Sequence, residues 1–204
     1  MIGNNSINVG AVILAAGSSS RMGTPKQVLQ FEGSSLLKRA TLAALDAKCR
    51  TVVVVTGANA ELCRRELDGL DVREAFNPSW ETGMASSVRT GIECLINIDA
   101  DIAGTVILLC DQPHVNSDII SNLVATHHAT GKPIIASAYA GSFGVPAFFS
   151  RKLFAELTHL EGTSGAKEII KRHASDAHFL PFPLCETDMD TPHDFACLIA
   201  AKRH

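Results

Sequence analysis

The sequence predicts a three-layer α/β domain in which helices cover both faces of a mostly parallel β-sheet. Short runs of apolar, β-branched residues lack the polar alternation of half-exposed strands, which is typical of strands buried on both faces. Amphipathic segments with helical spacing separate these runs, so strands alternate with helices along the chain. The chain has 204 residues, of which 46% are hydrophobic and 19% are charged, so it is long and apolar enough for one domain with a substantial core.

Four apolar runs predict the strands of this sheet. They comprise residues 9–16, 51–56, 105–110 and 133–138. Three apolar stripes at helical spacing predict helices between these strands. The stripes consist of Leu37, Ala40, Ala44 and Leu45, of Val88, Ile92, Leu95 and Ile96, and of Ile119, Ile120, Leu123 and Val124. Helices in these positions are expected to connect parallel strands through right-handed crossovers.

The remaining segments complete a single domain, predicted to span residues 9–204 after a loose, polar N-terminus of residues 1–8. Residues 139–150 contain glycines and a proline among aromatic residues, which indicates a bent excursion or an antiparallel edge strand beside the sheet. A last helix is predicted to begin near Pro192, with Phe195 facing inward.

Composition and charge argue against several classes of protein. The 18 basic and 21 acidic residues give a net charge of -3 without any block of like charges, so an electrostatic footprint for nucleic acid is missing. No apolar run approaches the roughly 18 residues of a membrane span, and residues 1–20 contain no Lys or Arg for a signal peptide. The six cysteines lack any C-x-x-C pair, so reduced thiols are expected rather than a zinc site or a disulfide scaffold. A cytoplasmic protein is expected.

A hydroxyl-rich loop of residues 17–26 follows the first predicted strand. It lies at the carboxyl end of a buried strand, where open α/β sheets bind ligands. Gly17 and Gly23 would let backbone N–H groups approach an anion closely, and Arg21 and Lys26 add cations suited to phosphate oxygens. The loop matches neither the P-loop pattern nor the G-x-G-x-x-G fingerprint. It therefore predicts a phosphate-binding site that differs from those of P-loop ATPases and of dinucleotide-binding domains.

Two further segments place polar groups near this loop. Asp111 directly follows the run 105–110, so its carboxylate is expected at a strand end where a hard cation could bridge it to a triphosphate. Residues 77–87 form a polar, glycine-containing loop before the second predicted helix, whose N-terminal N–H groups could face an anion. From the residues alone, this segment also fits an ordinary helix cap.

Residues 14–26 carry a long motif, L-A-A-G-S-S-S-R-M-G-T-P-K. It resembles the L-A-A-G-x-S-x-R-M-G-x-P-K signature of nucleotidyltransferases. The similarity continues at residues 77–87, 111–113, 144–146, 162–167 and 188–192, and so spans almost the whole chain. The chain resembles the MobA-like nucleotidyltransferase family, and most closely its molybdenum cofactor cytidylyltransferases. This resemblance implies a Rossmann-like nucleotidyltransferase fold.

The resemblance also implies roles for individual residues. Lys26 and Arg21 would be the catalytic cations, and Asp111 and Asp190 would bind Mg²⁺, with Asp188 as a neighbouring candidate. The implied nucleotide-binding residues are Leu14, Ala15, Ala16, Gly17, Ser18, Ser20, Gly23, Asn77, Gly83 and Ser87. Within the family an alanine at the place of Ala16 accompanies cytidylyl transfer and a glycine accompanies guanylyl transfer. CTP is therefore the expected nucleotide.

The acceptor half of the site is implied at Gly144, Val145 and Pro146, where the family's cofactor cytidylyltransferases usually have Gly-His-Pro. The expected reaction transfers a nucleoside monophosphate from an NTP to a phosphorylated small molecule, most closely the phosphate of molybdopterin, and releases pyrophosphate. A molybdoenzyme or its chaperone would then be a partner. Two alternatives remain open, namely transfer to a sugar 1-phosphate and a nucleotide- or cofactor-binding chaperone without transferase activity.

Overall fold

The computed structural model describes residues 8–20, 22–186 and 195. Strands and helices alternate along most of this part of the chain. In order they are β1 (Val9–Leu14), β2 (Gln30–Phe31), β3 (Ser34–Ser35), α1 (Leu36–Asp46), β4 (Val52–Thr56), α2 (Ala60–Glu66), β5 (Arg73–Phe76), α3 (Met84–Ile98), β6 (Gly104–Leu109), α4 (Ser117–Thr130), β7 (Ile134–Tyr139), β8 (Ser142–Ser150), α5 (Phe154–Thr158), α6 (Ala166–Arg172) and β9 (Ala177–Pro181). All four predicted strands and the three helices predicted from apolar stripes are present. The last helix, predicted to begin near Pro192, lies outside the described residues except for Phe195.

Seven strands form one sheet in the order β5-β4-β1-β6-β8-β7-β9, and β2 and β3 form a separate hairpin. β1 is parallel to both β4 and β6, β4 is parallel to β5, and β7 is parallel to β9. Among the seven described strands of this sheet, only β8 runs antiparallel to its two neighbours, β6 and β7. The prediction of a mostly parallel sheet is confirmed.

The position of β8 corrects the prediction for residues 139–150. This segment is antiparallel, as one of the two expectations had it, but it lies inside the sheet between β6 and β7 rather than at an edge. Phe148 and Phe149 explain the interior position, because both are fully buried and they point to opposite faces of the sheet. An edge strand would leave one side of its backbone in water, whereas this strand pairs on both sides.

The sheet separates two hydrophobic clusters, each of which lies between one face of the sheet and the helices that cover it. Along β1, Val12 and Leu14 pack into the cluster beneath α3, α5 and α6, whereas Ala11 and Ile13 pack into the cluster beneath α1, α2 and α4. This alternation follows from the two-residue period of a strand. Because both faces are covered, the central strands consist of apolar residues without polar alternation.

The helices begin and end where side-chain caps or special backbone conformations allow. Ser35 caps α1 by accepting a hydrogen bond from the N–H of Lys38, and Asn116 caps α4 through the N–H of Ile119. Gly131 ends α4 in the left-handed conformation, with φ of 67°. Within the described ranges, no helix is long and apolar enough to cross a membrane.

The course of the chain through the sheet fixes where a ligand can bind. From β1 the chain moves outward through β4 to β5, and then returns to place β6 on the other side of β1. The loops after β1 and β6 therefore leave in different directions and open a crevice at the carboxyl ends of these two strands. The loop 17–26 and Asp111 both lie at this crevice.

Candidate active site

A cavity of about 330 Å³ lies at the carboxyl ends of β1 and β6. Nine of the residues predicted for the site line it together: Leu14, Ala15, Ala16, Gly17, Ser20, Lys26, Gly83, Ser87 and Asp111. These residues come from four separate segments of the sequence. Arg21, Asp188 and Asp190 lie outside the described residues.

Lys26 and Asp111 form the charged centre of this cavity. The ammonium of Lys26 lies 2.9 Å from a carboxylate oxygen of Asp111, and the two side chains are only 14% and 19% exposed. Lys26 begins a short 3-10 turn after the loop, and Asp111 follows the end of β6. Both charges are therefore fixed by the ends of ordered elements, where partial burial strengthens the attraction between them.

The loop between β1 and Lys26 has a defined internal conformation. Ser19 adopts a positive φ of 55°, and its carbonyl accepts a hydrogen bond from the N–H of Met22. The hydroxyl of Ser19 accepts a hydrogen bond from the N–H of Lys26 at 2.9 Å, which closes the loop. Gly23 has a φ of 68°, where an L-residue would be strained. Ser18 and Gly23 belong to this loop without lining the cavity itself.

Gln27 is a residue of the site that the sequence interpretation missed. Its side chain is buried, and its amide donates hydrogen bonds of 2.8 Å to the carbonyl oxygens of both Ala15 and Gly17. It lines the cavity together with Trp80 and Met84, two other residues that were not assigned to the site. The position of Gln27 directly after Lys26 was the available signal, because a buried polar residue in a phosphate-binding loop needs hydrogen-bond partners.

Asn77 is buried beneath the site rather than exposed in it. Its amide donates to the hydroxyl groups of Ser86 and Ser87 at 2.8 and 3.0 Å, and its side-chain oxygen accepts from the N–H of Ser79 at 2.9 Å. Asn77 thus joins the turn before α3 to the first turn of that helix. Ser87 lines the cavity, so Asn77 reaches the site through this neighbour.

The start of α3 packs against the loop before α6. Gly83 has a φ of 117°, and a Cβ atom at this position would collide with the carbonyl group of Gly162. The same carbonyl accepts a hydrogen bond from the N–H of Ala85 at 3.3 Å. Met84 remains 45% exposed and lines the cavity. A glycine at residue 83 is therefore required by the close approach of two backbones.

Gly144, Val145 and Pro146 lie on β8 and do not line the cavity. The carbonyl oxygen of Val145 accepts a hydrogen bond of 2.8 Å from the side-chain amide of Gln112, the residue after Asp111. A Cβ atom on Gly144 would lie 2.6 Å from the hydroxyl oxygen of Tyr139, so a side chain at this position would require the Tyr139 side chain to move. The predicted acceptor segment is thus attached directly to the loop that carries Asp111.

The cavity can contribute oxygen ligands to a metal ion. The carboxylate of Asp111 is the kind of hard donor that Mg²⁺ and Mn²⁺ accept, and such ions commonly use one or two protein carboxylates together with phosphate oxygens and water. In the described part of the chain, no cluster of three or more His, Cys, Asp or Glu side chains could hold a metal by itself. This donor set fits an ion that binds together with a nucleotide.

Cys110 borders the cavity but is a poor nucleophile. Burial raises the pKa of its thiol well above the usual value, and the neighbouring Asp111 carboxylate acts in the same direction. Burial likewise raises the pKa of Cys63 to about 11 and that of Cys49 to about 12. These thiols are protonated at neutral pH, and Cys49, Cys63, Cys94 and Cys110 are free, as expected for reduced side chains.

Comparison with known proteins gives three related findings. Residues 11–177 match the family model of the MobA-like NTP transferase domain. The purine catabolism protein PucB of Bacillus subtilis (strain 168) is 30% identical over 202 residues, which cover 90% of this chain and 92% of PucB. The nicotine blue oxidoreductase of Paenarthrobacter nicotinovorans is 31% identical over 144 residues, which cover 70% of this chain and 67% of that protein.

Solved structures give the same picture of the fold. Rv0371c from Mycobacterium tuberculosis H37Rv superimposes with a TM-score of 0.81 and 27% sequence identity, over 95% of this chain and 98% of that chain. A complex of Rv0371c with manganese superimposes with a TM-score of 0.75 and 26% identity, over the same shares of the two chains. A chain of this fold can therefore hold a divalent cation.

Proposed function

Because this chain belongs to the MobA-like NTP transferase domain family, we propose that it transfers a cytidylyl group from CTP to the phosphate of molybdopterin, with Mg²⁺ as the cofactor. Nucleotidyl transfer of the MobA-like type is the activity of the family as a whole. The choice of CTP, of Mg²⁺ and of molybdopterin is the proposal. One observation carries it: Lys26 and Asp111 meet in a cavity that is also lined by the glycine- and serine-rich loop.

The proposed reaction is an in-line displacement at phosphorus. An oxygen of the acceptor phosphate attacks the α-phosphorus of CTP, and the bond from this phosphorus to the oxygen bridging to the β-phosphate breaks, so that pyrophosphate leaves. No covalent enzyme intermediate is needed, because the main task is to position two anions and to neutralise their charge. Lys26 supplies a fixed positive charge for the phosphate oxygens. Mg²⁺ held by Asp111 and the triphosphate would neutralise further negative charge.

The surroundings of Ala16 support the choice of a pyrimidine. Ala16 lines the cavity, and its carbonyl oxygen accepts a hydrogen bond from the N–H of Ala58. A Cβ atom on Gly57 would lie 2.6 Å from this carbonyl oxygen and 2.9 Å from Cβ of both Ala16 and Trp80. The wall beside Ala16 is therefore tightly packed, which favours the smaller base.

The surroundings of residues 144–146 suit a phosphorylated acceptor and are compatible with more than one kind of acceptor. Gln112 attaches Val145 to the loop of Asp111, so a molecule bound along residues 144–146 would lie near the nucleotide phosphates. Lys167 offers a cation on this side, where it contacts the hydroxyl of Ser142 at 2.8 Å and lies 5.7 Å from the ring of Phe143. Such a surface suits a conjugated, anionic molecule. Val145 replaces the histidine that is usual in the family's cofactor cytidylyltransferases, so a sugar 1-phosphate is the alternative acceptor.

The decisive experiment measures pyrophosphate release from each of the four common NTPs, with molybdopterin or a sugar 1-phosphate as acceptor, and identifies the product by mass spectrometry. We expect release from CTP that depends on Mg²⁺ and on molybdopterin. Release with a sugar 1-phosphate alone would assign the alternative acceptor. Nucleotide binding without release under any combination would instead assign a binding protein that hands a cofactor to a molybdoenzyme or its chaperone.

A test of NADH binding is an informative control because one relative is named an oxidoreductase. The loop 17–26 lacks the G-x-G-x-x-G fingerprint of classical dinucleotide-binding domains. We therefore expect no binding of NADH in a fluorescence titration of the wild-type protein. Saturable binding would contradict the assignment of this cavity to an NTP.

A further inference from the structure

The structure assigns a positioning role to Gln27: its side chain sets the conformation in which the loop of residues 17–26 presents backbone N–H groups to the phosphates of a nucleotide. This inference rests on the proposed function, because it assumes that a nucleoside triphosphate occupies the cavity. In this role Gln27 contacts no reacting atom of the substrate and acts only through the conformation of the loop.

The polar atoms of the Gln27 side chain are already engaged within the protein. The amide nitrogen donates to the carbonyl oxygens of Ala15 and Gly17 at 2.8 Å each, and the amide oxygen lies 3.5 Å from the hydroxyl of Ser19. An amide NH₂ group has two hydrogens, so both of its donors are used. The residue is only 2% exposed. A ligand therefore gains little from Gln27 directly, and the effect of this residue must pass through the backbone that it holds.

The two carbonyl groups determine the direction of two N–H groups. In a trans peptide, the C=O of one residue and the N–H of the next point in opposite directions. With the carbonyls of Ala15 and Gly17 directed at Gln27, the N–H groups of Ala16 and Ser18 are directed away from it. Backbone N–H groups that converge from a loop of this kind make a concave anion site. Gln27 thus orients donors that a phosphate can use.

A second set of contacts links the same side chain to Lys26. Ser19, which faces the amide oxygen of Gln27, accepts the hydrogen bond that closes the loop from the N–H of Lys26. The carbonyl of Ser19 is held by the N–H of Met22, which turns the N–H of Ser20 to the other side of that peptide. The buried amide of Gln27 therefore holds the backbone at Ala15 and Gly17 directly, and through Ser19 it is linked to the end of the loop at Lys26.

The variant Gln27→Met tests this role, because methionine is similar in length and remains apolar in the buried position but donates no hydrogen bond. The matched control is Gln30→Met, since Gln30 is exposed and bonds only to the nearby carbonyl of Val28. We expect the Kd for CTP with MgCl₂, measured by calorimetry, to rise at least about tenfold in Gln27→Met and to change less than about twofold in the control. The KM for the acceptor is expected to stay near the wild-type value.

Different outcomes separate this inference from the function on which it rests. If wild-type protein binds CTP and Gln27→Met binds it equally well, even with a lower melting temperature, the role of Gln27 is structural only and the inference is wrong. If the wild type binds none of the four NTPs, the proposed function fails, and the inference fails with it. Should Gln27→Met not fold, amide hydrogen exchange of the wild type decides: CTP must protect the N–H of Ala16, a residue that lines the cavity, and unchanged exchange overturns the inference.

Discussion

The ammonium of Lys26 and the carboxylate of Asp111 lie 2.9 Å apart although 85 positions separate them in the sequence. The parallel pairing of β1 with β6 creates this contact, because it brings the loops that follow both strands to one edge of the sheet. In the described structure each side chain is the other's partner. Binding of a metal–nucleotide complex must therefore replace an existing attraction, so both residues are expected to change partners when substrate enters.

We expect Lys26→Ala to lower kcat by a factor of about 10² to 10³. This factor corresponds to the loss of roughly 3 to 4 kcal/mol of transition-state stabilisation by one preorganised group. The ammonium should interact most strongly when charge moves from the attacked phosphorus to the leaving pyrophosphate. Steady-state pyrophosphate release measures the effect, and circular dichroism checks the fold. The matched control is Lys152→Ala, because Lys152 is exposed and follows β8 next to the start of β6, at the opposite ends of the strands from the cavity. If Lys26→Ala turned over substrate at nearly the wild-type rate, the proposed contact between Lys26 and the phosphate oxygens would be wrong.

Asp111→Asn is expected to abolish most activity and to weaken the binding of Mn²⁺ in the presence of CTP. An amide keeps the shape of the carboxylate but loses the negative charge that a divalent cation requires. Electron paramagnetic resonance of Mn²⁺ measures the binding without reference to turnover. Asp190→Asn is expected to act like Asp111→Asn, and Asp188→Asn to have a smaller effect. Unchanged Mn²⁺ affinity in Asp111→Asn would remove this residue from the metal site.

Ala16→Gly is expected to narrow the preference for CTP over GTP. The wild type should show at least about a tenfold preference in kcat/KM, since shape rejection of a larger base can exceed the roughly 1 to 3 kcal/mol of one methylene contact. Removing the methyl group of Ala16 gives the base more room beside the closely packed Gly57 and Trp80. Competition between the two nucleotides measures the ratio. Equal kcat/KM for CTP and GTP in the wild type would end the cytidylyl assignment and leave nucleotidyl transfer intact.

Asn77→Ala is expected to lower the free energy of unfolding by about 1 to 3 kcal/mol, because it leaves buried partners without the hydrogen bonds they now make. Those partners are the N–H of Ser79 and the hydroxyl groups of Ser86 and Ser87. Denaturant unfolding measures the loss. Asn122→Ala is the control on exposed helix surface, where a change within about 0.5 kcal/mol is expected. A stability equal to that of the wild type would show that the network around Asn77 is dispensable.

The central part of the fold was predictable from the sequence because its signals are local and strong. The apolar runs of β1, β4, β6 and β7 are buried on both sides, so the residues themselves carry the pattern of a parallel sheet. β5 and β9 gave no such signal: β5 lies at an edge with most of its residues exposed, and β9 lies at the other edge with partly buried residues. The place of β8 depends on which strands it pairs with, and composition contains no information on that choice.

The candidate site was predictable where the motif residues themselves line the cavity, as Lys26 and Asp111 do. Asn77 illustrates the limit of that reasoning, since the resemblance at residues 77–87 implied a nucleotide-binding role and the fold buries this side chain beneath Ser87. Gln27 illustrates the opposite case, because its importance appears only when its two carbonyl partners are seen. Sequence spacing can indicate which residues gather at a strand end, but the direction of a side chain depends on the completed loop.

The point at which β8 separates from β6, while still paired with β7, has a consequence for how the two halves of the site can change. Its ladder with β6 runs from the pair of Gly104 and Ser150 to the pair of Ile107 and Ala147. Beyond that point the bond from Gln112 to the carbonyl of Val145 connects the two diverging segments, so a side chain spans the widening gap. A flexible side-chain tether tolerates small shifts better than a main-chain ladder does. Substitutions at residues 142–145 can therefore reshape the surface that we propose for the acceptor while β1 and β6 stay in register, so that the acceptor can change without a change in the nucleotide chemistry.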